Sequence, residues 1–187
     1  MEYRLGKIED LDDICELITS AVDTMEKQGI HQWDERYPIR EDFEADIQSN
    51  TLYTVIRDGV LVGVYVISRE CDGEYDSCKW ESEDATACIL HRLCVSPEIQ
   101  NQGIGRQILN HLEEQARNFG FGSVRLDVFS ENPYAIRLYE KNGYIRRGYA
   151  DWRKGRFWLM EKNLNNDFSY NKQVIMDTMV KYSRERR

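Results

Sequence analysis

The sequence predicts an α+β fold: a mostly antiparallel twisted sheet, crossed once by a parallel βαβ unit, with helices on both faces. Three observations predict it. The run "ACILHRLCV" (residues 87–95) is β-rich, as is "GSVRLDVF" (residues 122–129), and between them Ile104, Ile108, Leu112 and Ala116 recur at helical spacing. Strand, helix, strand over this length makes the two strands parallel. Two further stretches, Leu52–Ser68 around Asp58-Gly59 and Tyr144–Leu164 around Lys154-Gly155, read as hairpins, so the rest of the sheet is antiparallel.

The remaining elements follow in order. Tyr3–Leu5 is a short first strand. Asp10 stands where a helix cap belongs, and Leu11, Ile14, Ile18, Ala21, Val22 and Met25 then mark an amphipathic helix ending near Gly29. A loop "HQWDERYP" leads to a second helix that turns Phe43 and Ile47 inward. Residues 70–85 are acidic and aperiodic, a long connection in which Trp80 is the anchored side chain. Pro133 suits the first position of a short helix that stops at Asn142-Gly143. One domain over residues 1–164 is expected, followed by a tail, residues 165–187, with Val174, Met179 and Val180 at helical spacing and a basic end.

Composition excludes several classes. The 187 residues carry 33 acidic against 25 basic side chains, a formal charge of −8. That disfavours a nucleic-acid surface, and suits a cationic small-molecule or peptide amine or plain solubility. No apolar run is long enough for a bilayer and the N-terminus lacks a signal-peptide order, so no membrane partner and a cytoplasmic location are expected. The five cysteines read as free thiols. Cys71, Cys78 and His91 lack ligand spacing, so no metal is expected. A monomer and a homodimer are equally compatible with the sequence.

The stretch "LCVSPEIQNQGIGRQIL" carries chemistry. A strand leads through Gln100, Asn101, Gln102, Gly103, Ile104 and Gly105 directly into a helix. Unpaired N–H groups at a helix start, with the helix dipole, favour an anion. Glycine lets phosphate oxygens approach the backbone, and Arg106 adds a positive charge. Alone, the spacing fits a tight βα turn equally well. A P-loop is absent, and so is the third glycine of a dinucleotide fingerprint.

With its Gln100, Gly103 and Gly105, this stretch resembles motif A of the GNAT superfamily of acyl-CoA-dependent N-acetyltransferases. "ENPYAIRLYEKNGY" resembles the motif that follows it, through Asn132, Ala135, Tyr139, Lys141, Gly143 and Tyr144. The resemblance extends over about residues 1–164. It implies acetyl-CoA as acyl donor and a primary amine as acceptor, joined by direct attack in a ternary complex. It also implies that Leu93, Cys94 and Val95 pair with the pantetheine arm, and that amides from Gln100 to Arg106 cradle the pyrophosphate. Asn132 and Ala135 would line the other side of the cofactor. Tyr139 would protonate the departing thiolate, and a backbone N–H of Cys94 or Val95 would face the oxyanion.

A free alkylamine is protonated at pH 7, so something must take its proton before attack. The strand position at which many members of this superfamily carry a carboxylate base is Ile89. His91, two residues on, shares the face of Ile89 and Leu93 if strand alternation holds. Three readings stay open: His91 as the base, His91 hydrogen-bonded within the sheet, or a water chain with no dedicated base. Trp33 and Tyr37 read either as an acceptor-side wall or as aromatics pinning a loop. Asp34, Glu35 and Glu70 are single acids, attractive to an amine or merely solvated. Arg125 and Asp127 read as a pair across the sheet, without a function. The absent carboxylate at Ile89 leaves a non-catalytic acyl-CoA sensor, and a longer-chain acyltransferase, as alternatives.

Overall fold

The chain forms β1 (Glu2–Leu5), α1 (Leu11–Lys27), α2 (Arg40–Gln48), β2 (Leu52–Arg57), β3 (Val60–Ser68), β4 (Ala87–Val95), α3 (Ile104–Asn118), β5 (Ser123–Phe129), α4 (Pro133–Lys141), β6 (Ile145–Trp152) and β7 (Gly155–Asn163). These elements belong to a computed structural model that describes residues 1–70, 72–82 and 87–164. Cys71, part of the long connection and the expected helical tail lie outside the described residues. The strands form one sheet in the order β1-β2-β3-β4-β5-β7-β6. β4 and β5 pair in parallel and every other neighbouring pair is antiparallel. The expected α+β architecture, with its single parallel crossover, is the observed one.

Local sequence explains the boundaries. The apolar stripe of α1 buries Leu11, Ile14, Leu17, Ile18 and Ala21. Asp10 precedes it, but its carboxylate does not cap the helix. It accepts from both Arg4 guanidinium nitrogens, at 2.7 and 2.8 Å, and from the Lys7 N–H at 2.8 Å. The β2–β3 turn places Asp58 and Gly59 at φ 52° and 80°, the left-handed pair that a two-residue hairpin needs. At α4, Asn132 Oδ1 accepts from the Ala135 N–H at 3.0 Å, a true side-chain cap.

Helices cover both faces. α3 and α4 pack Ile108, Leu112, Ala116 and Tyr139 against Leu90, Val124, Leu126 and Val128. On the opposite face α1 and α2 bring Ile14, Ile18 and Phe43 onto Val64, Val66 and Cys94. The long connection closes the rest of that second face. It is more ordered than its composition predicts: a 3₁₀ turn over Gly73–Ser77 buries Tyr75 against Ile89, Ala150 and Leu159. Trp80 is anchored as expected. Its indole N–H donates to Tyr75 O at 2.9 Å, and the Arg125 guanidinium lies 4.3 Å over its ring. Arg125 does not pair with Asp127. It joins Arg147 around Glu161, whose fully buried carboxylate also accepts the Glu81 N–H at 2.8 Å. One buried acid thereby holds two strands and the connection together.

The tip of the last hairpin is fastened to the α1–α2 loop. Arg153 forks onto Asp34 at 2.7 and 2.8 Å, and Lys154 Nζ adds a third contact at 3.1 Å. The Arg153 hydrogen bond is the main reason that the Asp34 carboxyl is held well below the usual carboxylate range. A depressed carboxylate stabilises above its unfolded pKa and loses that contribution as pH falls toward its folded value. Asp34→Asn will therefore lower stability in urea unfolding at pH 7, and its deficit against the native chain will narrow at pH 3. Leu112→Ala, at a fully buried position of α3, will cost about 3 kcal/mol in the same assay, because neighbours relax only partly around the lost side chain.

Candidate active site

Parallel pairing between β4 and β5 runs from Ala87↔Ser123 to Leu90↔Leu126 and stops there. Both strands continue, to Val95 and to Phe129. Past the last registered pair they separate, and their facing backbone edges border a cavity of about 810 Å³. The cavity passes between the two strands. Its lining includes Leu90, Ile104 and Tyr139 from the α3/α4 face and Ala21 and Trp33 from the α1/α2 face.

A bulge makes this separation. Against β3, Val64 pairs with Cys94 but Val66 pairs with His91, so β4 carries one extra residue between them. Arg92 absorbs it at φ 50°, in the left-handed region that side chains seldom adopt. Arg92 is held by α2 and by the α1–α2 loop. Asp46 of α2 takes its guanidinium at 2.8 Å, and the Tyr37 ring lies 5.3 Å away. Alternation therefore breaks at Arg92. His91 stays with Ile89 on the α1/α2 side, whereas Leu93 and Val95 pack with the α3/α4 cluster. The expectation that His91 and Leu93 share a face is corrected by the bulge.

On the α3 side, Gly103 sits at φ 78° and a Cβ there would meet nothing within 4 Å. The first turn leaves the N–H groups of Ile104, Gly105 and Arg106 without intrahelical acceptors; Gln107 is the first to donate back, to Gly103 O at 3.1 Å. Gly105 has another reason to be glycine. A Cβ there would lie 3.0 Å from Leu138 Cδ2, so its absence lets the first turn of α3 close onto α4. Gln100 folds back and donates its amide to Val95 O at 3.1 Å. Asn101 and Arg106 line the cavity mouth. Gln102, alone of the predicted residues, does not; it accepts from Arg57 at 3.3 Å. Ala135 lines the cavity from α4. Asn132 does too, but its polar atoms are engaged, one in the α4 cap and the other with Gln32 at 2.8 Å.

Tyr139 is buried, edge-on to Tyr144, and its hydroxyl has no hydrogen-bond partner among the described residues. Burial first, and the charge of Asp127 second, push its pKa well above an ordinary phenol, so it holds its proton. On the opposite face Trp33 is a core residue of the α1/α2 cluster as well as a cavity wall. Tyr37 is partly exposed, but burial pushes its pKa up to about 12, against the pull of Arg92. His91 Nε2 lies 3.1 Å from Glu70 O. A carbonyl only accepts, so Nε2 is the donor of this hydrogen bond. Asp127 lines the same end of the cavity and accepts the Tyr75 hydroxyl at 2.9 Å. Sequence reasoning passed it over; the sole signal was a carboxylate one place beyond the last β4–β5 pair.

Among the described residues, no three His, Cys, Asp or Glu side chains are grouped to hold a metal, and no helix is long and apolar enough to cross a membrane.

Known proteins resemble this arrangement over most of its length. The profile of the acetyltransferase (GNAT) family matches residues 14–144, well over half of the chain. S-(2-succino)cysteine N-acetyltransferase of Bacillus subtilis is 25% identical over 170 residues, 88% of this chain and 97% of that protein. The [ribosomal protein bS18]-alanine N-acetyltransferase of Escherichia coli K12 is 38% identical over 71 residues, 36% of this chain and 48% of its own. A crystal structure of a GNAT-family acetyltransferase from Streptococcus agalactiae superposes with a TM-score of 0.79 at 25% identity, covering 87% of this chain and 94% of that one. The fold is also that of a Thermoplasma acidophilum N-acetyltransferase solved with coenzyme A, at a TM-score of 0.64 and 23% identity over 87% of this chain and 98% of that one. The chain belongs to the acetyltransferase (GNAT) family and is an acyltransferase of that group.

Proposed function

We propose that the protein transfers the acetyl group of acetyl-CoA to a primary amine by direct attack within a ternary complex. The observation that carries this reading is the passage through the sheet where β4 and β5 part. One mouth presents the unpaired amides of Ile104, Gly105 and Arg106, and the other presents Trp33, Tyr37, His91 and Asp127. Donor and acceptor can then approach one reacting carbon from opposite faces.

On the donor side, Gly103 leaves room for an anion and the helix start supplies donors and dipole for a pyrophosphate. The edge of Leu93, Cys94 and Val95 that faces away from β3, where the Gln100 amide holds Val95 O, suits an extended amide-bearing arm, which would displace that side chain and add like a strand. Gln100 and Asn101 border the same mouth, with Ala135 and Asn132 opposite. A backbone N–H at Cys94 or Val95 would stabilise the oxyanion that forms on the acyl carbonyl.

Amine nitrogen forms the new C–N bond, the C–S bond breaks, and Tyr139 gives its proton to the sulfur. A buried phenol that keeps its proton across the neutral range suits that role. His91, whose Nε2 donates to the carbonyl of exposed Glu70, carries a proton from the acceptor end toward solvent. The full-length similarity to an enzyme named for an amino-acid derivative favours a small amine acceptor. The similarity to an enzyme named for a protein N-terminus covers half of that enzyme, so a peptide acceptor is the second reading.

Thiol release from acetyl-CoA against a panel of amino acids, polyamines and N-terminal peptides will show turnover with at least one amine. Binding of acetyl-CoA without thiol release for any of them would instead favour a sensor. Tyr139→Phe will lower kcat by about 100-fold while acetyl-CoA binding, measured by calorimetry, changes by less than about twofold. Because its pKa is raised, no alkaline fall in kcat will come from Tyr139 below the ordinary tyrosine range near pH ~10.

A further inference from the structure

Two cations share one carboxylate where the last hairpin meets the α1–α2 loop. Arg153 already saturates Asp34, with one bond to each oxygen at 2.7 and 2.8 Å. Lys154 Nζ is a third donor to the same carboxylate, at 3.1 Å, and has no other hydrogen-bond partner among the described residues. An ammonium group carries three donors, so this one keeps donors to spare. Asp34 is ionised, its carboxyl held well below the usual range by Arg153 first. Glu35 and Arg36, next in the loop, are exposed, opposite in sign and outside the cavity lining. Arg153 and Lys154 against Asp34 thus leave one positive charge in excess. Both cations line the cavity, and Lys154 is the less exposed, at 21% of its side chain against 47%.

The same loop brings another cation to this wall. Asp34 and Tyr37 bond to each other through both backbone pairs, at 3.0 and 3.2 Å. The Tyr37 ring faces the guanidinium of Arg92, which also lines the cavity. Arg92 gives one nitrogen to Asp46, and its Nε is buried without an acceptor. Three cations therefore converge on one short turn of a chain whose formal charge is −8. Carboxylates reach the cavity as well, at Asp72, Glu74 and Asp127. A ligand of a single sign meets repulsion somewhere in such a cavity, whereas an amine that also carries an anion finds an opposite charge for each group.

β7 sets the distance between those groups. Lys154 stands at the hairpin tip beside Gly155, Phe157 lies opposite Phe129, and Met160 lies opposite Leu126, the last residue of the parallel pairing. From Gly155 to Met160 an extended strand rises by about 16 Å. The interval is aromatic. Trp152 meets Phe157 at 5.1 Å, Phe157 meets Phe129 at 5.2 Å, and all three line the cavity. An apolar strip thus lies between the spare cation and the place where the strands part.

We propose that the acceptor is an amine bearing a carboxylate on a hydrocarbon spacer, and that Lys154 binds the carboxylate as a specificity-determining residue. This assignment rests on the acetyltransferase reading and narrows its acceptor. Arg153 keeps the clasp on Asp34 while Lys154 turns its spare donors to the incoming anion. Lysine suits this task because its ammonium is a rotatable point charge, whereas the planar Arg153 fork is fixed on its carboxylate. Trp152 and Phe157 cover the spacer, and Arg92 adds its field to the same wall.

The test is kcat/KM for thiol release by the full chain at saturating acetyl-CoA, with ε-aminocaproate and its carboxamide as the paired acceptors. The native protein is expected to prefer the carboxylate by about tenfold or more, the worth of one charge-assisted hydrogen bond, with the difference in KM. Lys154→Met is expected to bring that ratio close to one without changing the KM for acetyl-CoA, and Lys154→Arg to restore most of it. Equal rates for acid and amide in the native protein overturn the proposal, as does an unchanged ratio in a Lys154→Met variant that unfolds at the native temperature. It is also overturned if neither probe is acetylated while another amine is. Should Lys154→Met misfold, inhibition of the native protein decides. Hexanoate must compete with the amine, not with acetyl-CoA, and more strongly than hexanamide; equal inhibition overturns the proposal. Native protein that binds acetyl-CoA but acetylates no amine at all overturns the acetyltransferase reading itself, and the role of Lys154 with it.

Discussion

The parting of β4 and β5 is the constraint on which the site depends. Parallel strands that stayed paired to their ends would satisfy each other's backbone and leave no cleft. Here the ladder stops at Leu90↔Leu126 because a bulge at Arg92 turns β4 away. A side chain held at φ 50° costs on the order of 1–3 kcal/mol, and such strain persists only where surrounding contacts over-determine it. The half-buried Asp46 ion pair and the Tyr37 ring supply those contacts. They also tie the bulge to α2 and to the α1–α2 loop, so that wall of the cavity and the opening of the sheet form one mechanical unit. The clasp of Arg153 and Lys154 on Asp34 fastens the far side of the same loop.

Opening a sheet in its middle has a second consequence: groups on opposite faces can serve one reaction. Burial acts on both ends of the passage, with different results. On the α3/α4 face it keeps the Tyr139 proton in place. On the α1/α2 face it raises the affinity of Asp127 for a proton or a cation. Burial thus favours the protonated form of both groups, one on each face of the sheet. The glycines at the start of α3 divide their duties in the same way. Gly103 leaves open space for an anion, whereas Gly105 brings α3 against Leu138 of α4 and so sets the width of the donor mouth.

Regular features of this fold were legible because each is written locally. Asp58-Gly59 dictates a turn, the 3.6-residue stripe of Ile104, Ile108, Leu112 and Ala116 dictates a helix and its buried face, and the βαβ order dictates the parallel pair. The donor side of the site is also local, a strand end and the helix start after it. The residues that the resemblance assigned to it line the cavity, apart from Gln102. What the sequence hid is relational. A bulge has no residue signature at Arg92, yet it reverses the faces of everything after it, which is why His91 and Leu93 part company. The reason for Gly105 lies 33 positions away in Leu138. Glu161 reads as one more surface acid until Arg125, Arg147 and the Glu81 amide are seen to converge on it.

The acceptor end shows why composition misleads most where chemistry varies most. Residues 70–82 look like a solvated acidic linker, and most of the side chains described there are solvated. One aromatic decides otherwise: Tyr75, pressed onto Ile89 and Leu159, spends its apolar ring on the sheet and its hydroxyl on Asp127. Ile89 is then apolar for a structural reason. A carboxylate at that position would lie under Tyr75 and Leu159 with no donor, so a carboxylate on this wall of the cavity comes from a different strand. β5 provides it, two places beyond the residue registered with Ile89, where the sheet has already begun to open. An amphipathic side chain in a polar connection is thereby coupled to a buried carboxylate of the sheet, so a change in the connection reaches the cavity wall without touching the first turn of α3.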